Sequence, residues 1–253
     1  MSAPSTLAFY AHPDDEALVA GGTLAKHAAA DARTGVVTAT WAAGSHRATE
    51  LADALKILGA GGPRMLGYAD LEVPESAPGR PRFCDAPLEE TVGDVVTHIR
   101  SFQPQILISH DAYGSSGHPD HVHTHRVMLL AAHAAGLADL YPDAGPAWQP
   151  TALYLSAHPA SASTLLVGVL AGVGKRLWTV PDEMISVAVD VRPWADRKWA
   201  AIRAHRSEAA RSRSLPALLS QLPAAEREAV LGTEYFIRRD LGNTTVTLSE
   251  LTP

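Results

Sequence analysis

The chain is poor in several features that mark particular protein classes. Of its 253 residues only Cys84 is a cysteine, so no disulfide can form within the chain and a reducing, cytoplasmic setting is expected. Positive charge is not in excess: 21 Lys and Arg stand against 27 Asp and Glu, a net charge of −6, which argues against a dedicated nucleic-acid-binding face. The acidic excess is too mild to imply a cationic partner. The longest apolar run, TLLVGVLAGVG at 164–174, is too short to span a bilayer, so no membrane partner is expected. The opening MSAPSTLAFY has no basic segment and does not read as a signal peptide. Repeats and low-complexity tracts are lacking. Core-forming residues, by contrast, make up 46% of the chain, enough for a substantial interior. Histidine is the compositional oddity, with 12 in all and four within HPDHVHTH at 118–125.

Short apolar runs alternate with longer segments of helical period. TLAFYA (6–11), GVVTATW (35–41), PRMLGY (63–68) and QILISHD (105–111) read as strands. The segments 15–31, 46–59, 88–102 and 120–136 read as helices, with Gly59 and Gly136 as C-terminal stops. Such alternation implies right-handed crossovers and an α/β, Rossmann-like three-layer fold: a mostly parallel sheet with helices on both faces. Further on, ALYLSA (152–157) and EMISVAVDV (183–191), a helix over 194–212, and strands at TEYFIRRD and NTTVTLSEL are expected. One domain over 1–253 is expected, with 1–140 carrying the motifs and 141–253 completing it. The Pro- and Gly-rich 73–87 has the length of a lid or binding loop.

Two clusters stand at strand ends. HPDDE places His12, Asp14, Asp15 and Glu16 where the first strand enters a helix, and GHPDHVHTH follows the fourth strand. In the strand order 3-2-1-4-5-6 the first and fourth strands are neighbours across the switch point, so both clusters would share one crevice. Imidazole with carboxylate suits a divalent transition metal. His12 and Asp15 are three apart, and His118 and His121 repeat that spacing. Two histidines and a carboxylate form a facial set with open positions, fit for hydrolytic zinc or for non-haem iron(II), and a spare carboxylate beside it would serve as general base. A single such cluster would be adequately explained as a turn and helix cap; two at corresponding strand ends favour the metal site. His125 shares a helical face with His121 and is either an alternative ligand or a supporting histidine.

AHPDDE (11–16) together with GHPDH (117–121) resembles the LmbE-like, PIG-L-type zinc-dependent N-deacetylases. HRATELADALKILG, with Arg47 and Glu50, MLGYAD, KWAAIRAHRSE and EYF (234–236) extend the resemblance over most of the chain. The resemblance implies one Zn2+ held by His12, Asp15 and His121, with Asp14 as general base. It implies His118 as acid or oxyanion stabiliser, tuned by Asp120. Arg47 is the candidate for holding sugar hydroxyls; the alternative is a surface arginine paired with Glu50. The implied activity is hydrolysis of the acetyl amide of an N-acetylglucosamine-type conjugate or natural-product intermediate. The alternatives are an amidase of thiol S-conjugates, an iron(II) oxygenase, or a non-catalytic metal- or sugar-binding module. A small-molecule N-acylated sugar or conjugate is the expected partner, and a homo-oligomer is compatible with the sequence. Three positions depart from the mycothiol-pathway members: Ala69 where they carry arginine, Ser116 where they carry tyrosine, and Glu208 where glutamine is usual. The first two predict a substrate other than the mycothiol precursor.

Overall fold

The computed structural model describes residues 3–242; the strand expected at NTTVTLSEL lies outside them. The first half follows the alternation read from the sequence. β1 (Thr6–Tyr10), α1 (Asp15–Ala29), β2 (Thr34–Thr40), α2 (His46–Leu58), β3 (Arg64–Tyr68), α3 (Leu88–Phe102) and β4 (Ile106–His110) come in order. A short turn, α4 (Gly114–Gly117), then leads into α5 (Pro119–Ala134). Beyond it lie β5 (Ala152–Ser156), α6 (Thr164–Ala171), β6 (Val187–Asp190), α7 (Ala195–Ala204), α8 (Arg206–Ala209), α9 (Leu215–Gln221), α10 (Ala224–Leu231) and β7 (Thr233–Asp240).

The seven strands among the described residues join one sheet, ordered β3-β2-β1-β4-β5-β7-β6. The first five strands are mutually parallel, and β1 and β4 are neighbours in the register Phe9↔Ser109. The far edge differs from a simple continuation: β7 inserts between β5 and β6 and runs antiparallel to both. Each sheet face is covered by its own apolar layer. Leu7, Phe9 and Leu107 pack with Val95, Ile99 and Met128 of α3 and α5, while Ala8, Tyr10 and Ile108 pack with Leu24, Leu51 and Ile202 of α1, α2 and α7. Central strands buried on both faces need continuous apolar runs, which explains why TLAFY and its neighbours show no alternation.

Two local departures from the sequence reading have physical causes. The helix expected over 194–212 breaks at His205 (φ −78, ψ 68), whose imidazole is turned onto Glu16 instead. Helices α9 and α10 were not legible as periodic segments; α9 starts at Ser214, whose hydroxyl accepts the Ala217 N–H, with a proline in the first turn.

Candidate active site

The two clusters meet because β1 and β4 are adjacent and both end on the same side. β1 runs through Ala11 into His12 and Pro13, and Asp15 opens α1. After β4 the chain turns through Gly114 to His118, which caps α5, and His121 lies in that helix's first turn. Gly114 (φ 57) is required there, since a Cβ would stand 2.4 Å from the His121 Cβ.

His12 Nδ1 is 3.0 Å from His121 Nε2, and the Asp15 carboxylate is 3.5 Å from each of these nitrogens. The other ring nitrogens have their own partners. His12 Nε2 faces Asp120 Oδ2 at 3.2 Å, and His121 Nδ1 faces the Gly114 carbonyl at 3.0 Å. Both partners are acceptors, so in the neutral form that ligates a cation each imidazole keeps its proton on that outer nitrogen. The inner nitrogens therefore present lone pairs to one another and to a carboxylate. Lone pairs facing at 3.0 Å repel unless a cation lies among them, and a carboxylate or carbonyl on the outer nitrogen is the usual support of a metal-ligating histidine. Among the described residues, ligand atoms gather in three overlapping triads: His12/His118/His121, Asp15/His110/His121 and His12/Asp70/Asp120.

His110 and Asp70 were missed in the sequence. His110 stacks on His121, with centroids 4.1 Å apart, and sets Nε2 3.3 Å from Asp15; Asp70 lies 3.4 Å from His12 Nε2. Each stands at or just past the carboxyl end of a strand, β4 or β3, where that position was the available signal. His125 is buried, bonds the His110 carbonyl at 3.0 Å, and belongs to none of the triads.

Electrostatics separate the two adjacent aspartates. Burial would raise Asp15, but the His121 and His110 imidazoles win and hold it well below the usual carboxylate range. Burial, with the charge of Asp15 adding to it, pushes Asp14 up to about 7, although Arg47 pulls it down. His118 is lowered by burial and by neighbouring His12. Its Nδ1 accepts the Asp120 N–H at 3.2 Å, so the neutral ring keeps its proton on Nε2. Asp120, expected to tune His118, is 3.9 Å from that ring and closer to His12; its two oxygens accept the N–H groups of Leu71 and Cys84. The 73–87 loop thus supplies a donor to Asp120, and none of its residues lines the cavity.

Arg47 is buried rather than on the surface, and Glu50 does not pair with it. Glu50 accepts the Ser207 N–H and hydroxyl, while Arg47 meets Asp14 at 3.0 Å and Glu208 at 2.5 Å. Arg47, Asp14 and Glu208 line, together with His12, Asp15, His118 and His121, one cavity of about 510 Å3, whose far wall is apolar through Leu166, Leu170, Leu215 and Leu219. Of the three positions that depart from the mycothiol-pathway members, Ser116 and Glu208 line this cavity; Ala69 is buried in a bridge to Arg82.

The fold and the cluster define a class, an α/β protein with a His/Asp site able to hold a metal ion at the switch point of its sheet. The sequence pattern of the family described as PIG-L: GlcNAc-PI de-N-acetylase matches residues 7–132. A 1D-myo-inositol 2-acetamido-2-deoxy-alpha-D-glucopyranoside deacetylase of Geodermatophilus obscurus is 32% identical over 91% of this chain and 90% of its own. The chain belongs to this de-N-acetylase family. The N,N'-diacetylchitobiose deacetylase of Pyrococcus horikoshii shares the fold, with a TM-score of 0.65 at 19% identity over 93% of this chain and 84% of that one. So does the 4-carboxy-2-hydroxymuconate hydratase GalB of Pseudomonas putida, with a TM-score of 0.63 at 20% identity over 97% and 99%. One fold thus carries a deacetylase and a hydratase, and function has to be argued from the site.

Proposed function

We propose that the chain is a zinc-dependent N-deacetylase acting on an N-acetylglucosamine-type conjugate. The observation that carries this reading is the convergence of the His12 and His121 lone pairs with the Asp15 carboxylate. Ligands about 2.0–2.2 Å from a tetrahedral zinc stand roughly 3.3–3.6 Å apart, close to the separations of 3.0 and 3.5 Å seen here. Bound there, zinc would supply a Lewis acid for the scissile carbonyl and lower the pKa of water to about 7.

The remaining steps belong to the protein. Asp14, beside Asp15 and facing the same cavity, is the base that takes a proton from the attacking water. His118 lines the cavity with its Nδ1 engaged by a backbone N–H. Its Nε2–H is therefore the group available to hydrogen-bond the developing oxyanion, and the proton that Asp14 takes from the water is the one delivered to the leaving nitrogen. Asp120 orients His12. Products are acetate and a free amine. Resemblance to the inositol conjugate deacetylase makes that conjugate the first compound to test, whereas Ser116 in place of tyrosine predicts preference for another N-acetylglucosamine conjugate. The test is an amine-release screen of the zinc-loaded protein on N-acetylated sugars, their conjugates and antibiotic intermediates. Absence of amine release from every N-acetylglucosamine compound would overturn the activity. Fastest turnover of the inositol conjugate would overturn the preference.

A further inference from the structure

TLLVGVLAGVG, the longest apolar run of the chain, forms α6 and the turn after it, with no polar side chain between Thr164 and Lys175. A helix at a protein surface ordinarily keeps one polar face. This one is apolar on both sides. Leu165 and Val167 are exposed, whereas Leu166 and Leu170 are buried and pack on Leu218 in a cluster separate from the two sheet layers.

The inner side of α6 also lines the cavity that holds the His/Asp cluster. Leu166 and Leu170 are joined there by Leu177, by Leu215 and Leu219 of α9 and by Val230 of α10. The segment after α6 is fastened to the turn that carries His118. The Trp178 N–H donates to the Ser115 carbonyl at 2.7 Å, and the Val180 N–H to the His158 carbonyl at 2.9 Å. Gly117 (φ 80) lies so near the indole that a Cβ there would stand 3.1 Å from Trp178 Nε1. The apolar wall is thus tied to the turn that positions His118, and both face the same space.

We propose that this wall is a subsite for an apolar aglycone, an alkyl or aryl group attached directly to the N-acetylglucosamine unit, and that it sets the preference among conjugates. This rests on the deacetylase reading and narrows its substrate class. Water against such a wall is displaced favourably by an apolar group. A polyhydroxylated aglycone would give up its hydrogen bonds to water there and meet leucine and valine instead, which is unfavourable. The acyl group released in the proposed reaction is acetyl, two carbons beside the metal ligands, so the wall is left to the aglycone. The cavity, about 510 Å3, has the size of one that takes a drug-sized ligand. Lys175 and Arg176, which follow α6, line it from exposed positions where solvent serves their charges.

The experiment uses the zinc-loaded full chain and two series of alkyl glycosides, methyl to hexyl, in both anomers. Glycosides of N-acetylglucosamine are assayed for amine release, and those of glucosamine, the deacetylated product, for binding by calorimetry. With each added methylene kcat/KM and affinity should both rise about three- to fourfold until the wall is covered. Leu170→Ser places a hydroxyl on the wall and should lower the hexyl-to-methyl ratio of kcat/KM about tenfold. That ratio does not depend on the fraction of active protein. Should Leu170→Ser fail to fold, Leu215→Ser, at a partly buried position, is read by the same ratio, and the series on the parent protein decides if neither folds. A series that is flat with chain length would overturn the proposal. So would an unchanged ratio in a folded variant, or a gain on lengthening the N-acyl chain in place of the aglycone. Should the parent protein cleave no amide, the deacetylase reading fails, while the binding series still decides this inference.

Discussion

Oδ2 of Asp120 lies 3.2 Å from Nε2 of His12, across 108 positions of sequence. Asp120 is fully buried and also accepts two backbone N–H groups, so its carboxylate is a fixed acceptor. It determines which nitrogen of His12 faces His121. Asp120→Asn is expected to keep the fold and weaken zinc affinity about 10–100-fold, as read by chelator competition. Unchanged affinity would mean that His12 does not depend on this carboxylate for its orientation.

Zinc content separates ligands from neighbours. His12→Ala, Asp15→Ala and His121→Ala should each lose the single zinc, and His125→Ala should keep it, because His125 bonds the His110 carbonyl. Elemental analysis of the purified variants is the check. Loss of metal in His125→Ala with retention in His121→Ala would reverse the assignment.

Asp14→Asn retains size and removes the base. It should hold zinc as the parent does and lower kcat by about 10²–10⁴-fold. His118→Ala should likewise keep its zinc and lose about 10²–10³-fold in kcat. Full activity in either variant, or loss of its metal, contradicts the division of labour between the two adjacent aspartates and between His118 and His121.

The buried contact of His205 Nε2 with Glu16 Oε1, at 2.8 Å, makes stability depend on pH. Burial lowers His205, but the charge and hydrogen bond of Glu16 more than offset this and the net shift is upward from 6.5. A raised imidazole contributes stability that is complete below its unfolded pKa and is lost as pH rises through its folded one. The parent protein should therefore exceed His205→Gln in urea midpoint most at about pH 6, with the gap narrowing as pH rises above that. A gap that stays constant or widens would exclude an ionised pair.

A Cβ on Gly22 would stand 2.4 Å from Val191 Cβ. The close approach lets the Gly22 and Thr23 N–H groups reach Glu234, which also pairs with buried Lys198 at 2.7 Å. Gly22→Ala should cost about 1–3 kcal/mol in chemical denaturation through overpacking. Unchanged or increased stability would mean that Val191 and the helix can separate at no cost.

The sequence by itself determined the alternation of strands and helices through β5, and the placing of His12, Asp14, Asp15, His118 and His121 at two strand ends. Those features are local: apolar run length, helical period and turn residues act over a few positions. Given that β1 and β4 are neighbours, the convergence of the clusters follows. Tertiary structure alone decided that β7 enters the sheet antiparallel between β5 and β6, that the helix after 194 breaks at His205, and that His110 and Asp70 join the cluster. It also chose Asp14 and Glu208 over nearby Glu50 for Arg47. A buried charge announces in sequence only that it needs a partner. Which partner it receives, here up to 212 residues away, is fixed by how the helices pack on the sheet.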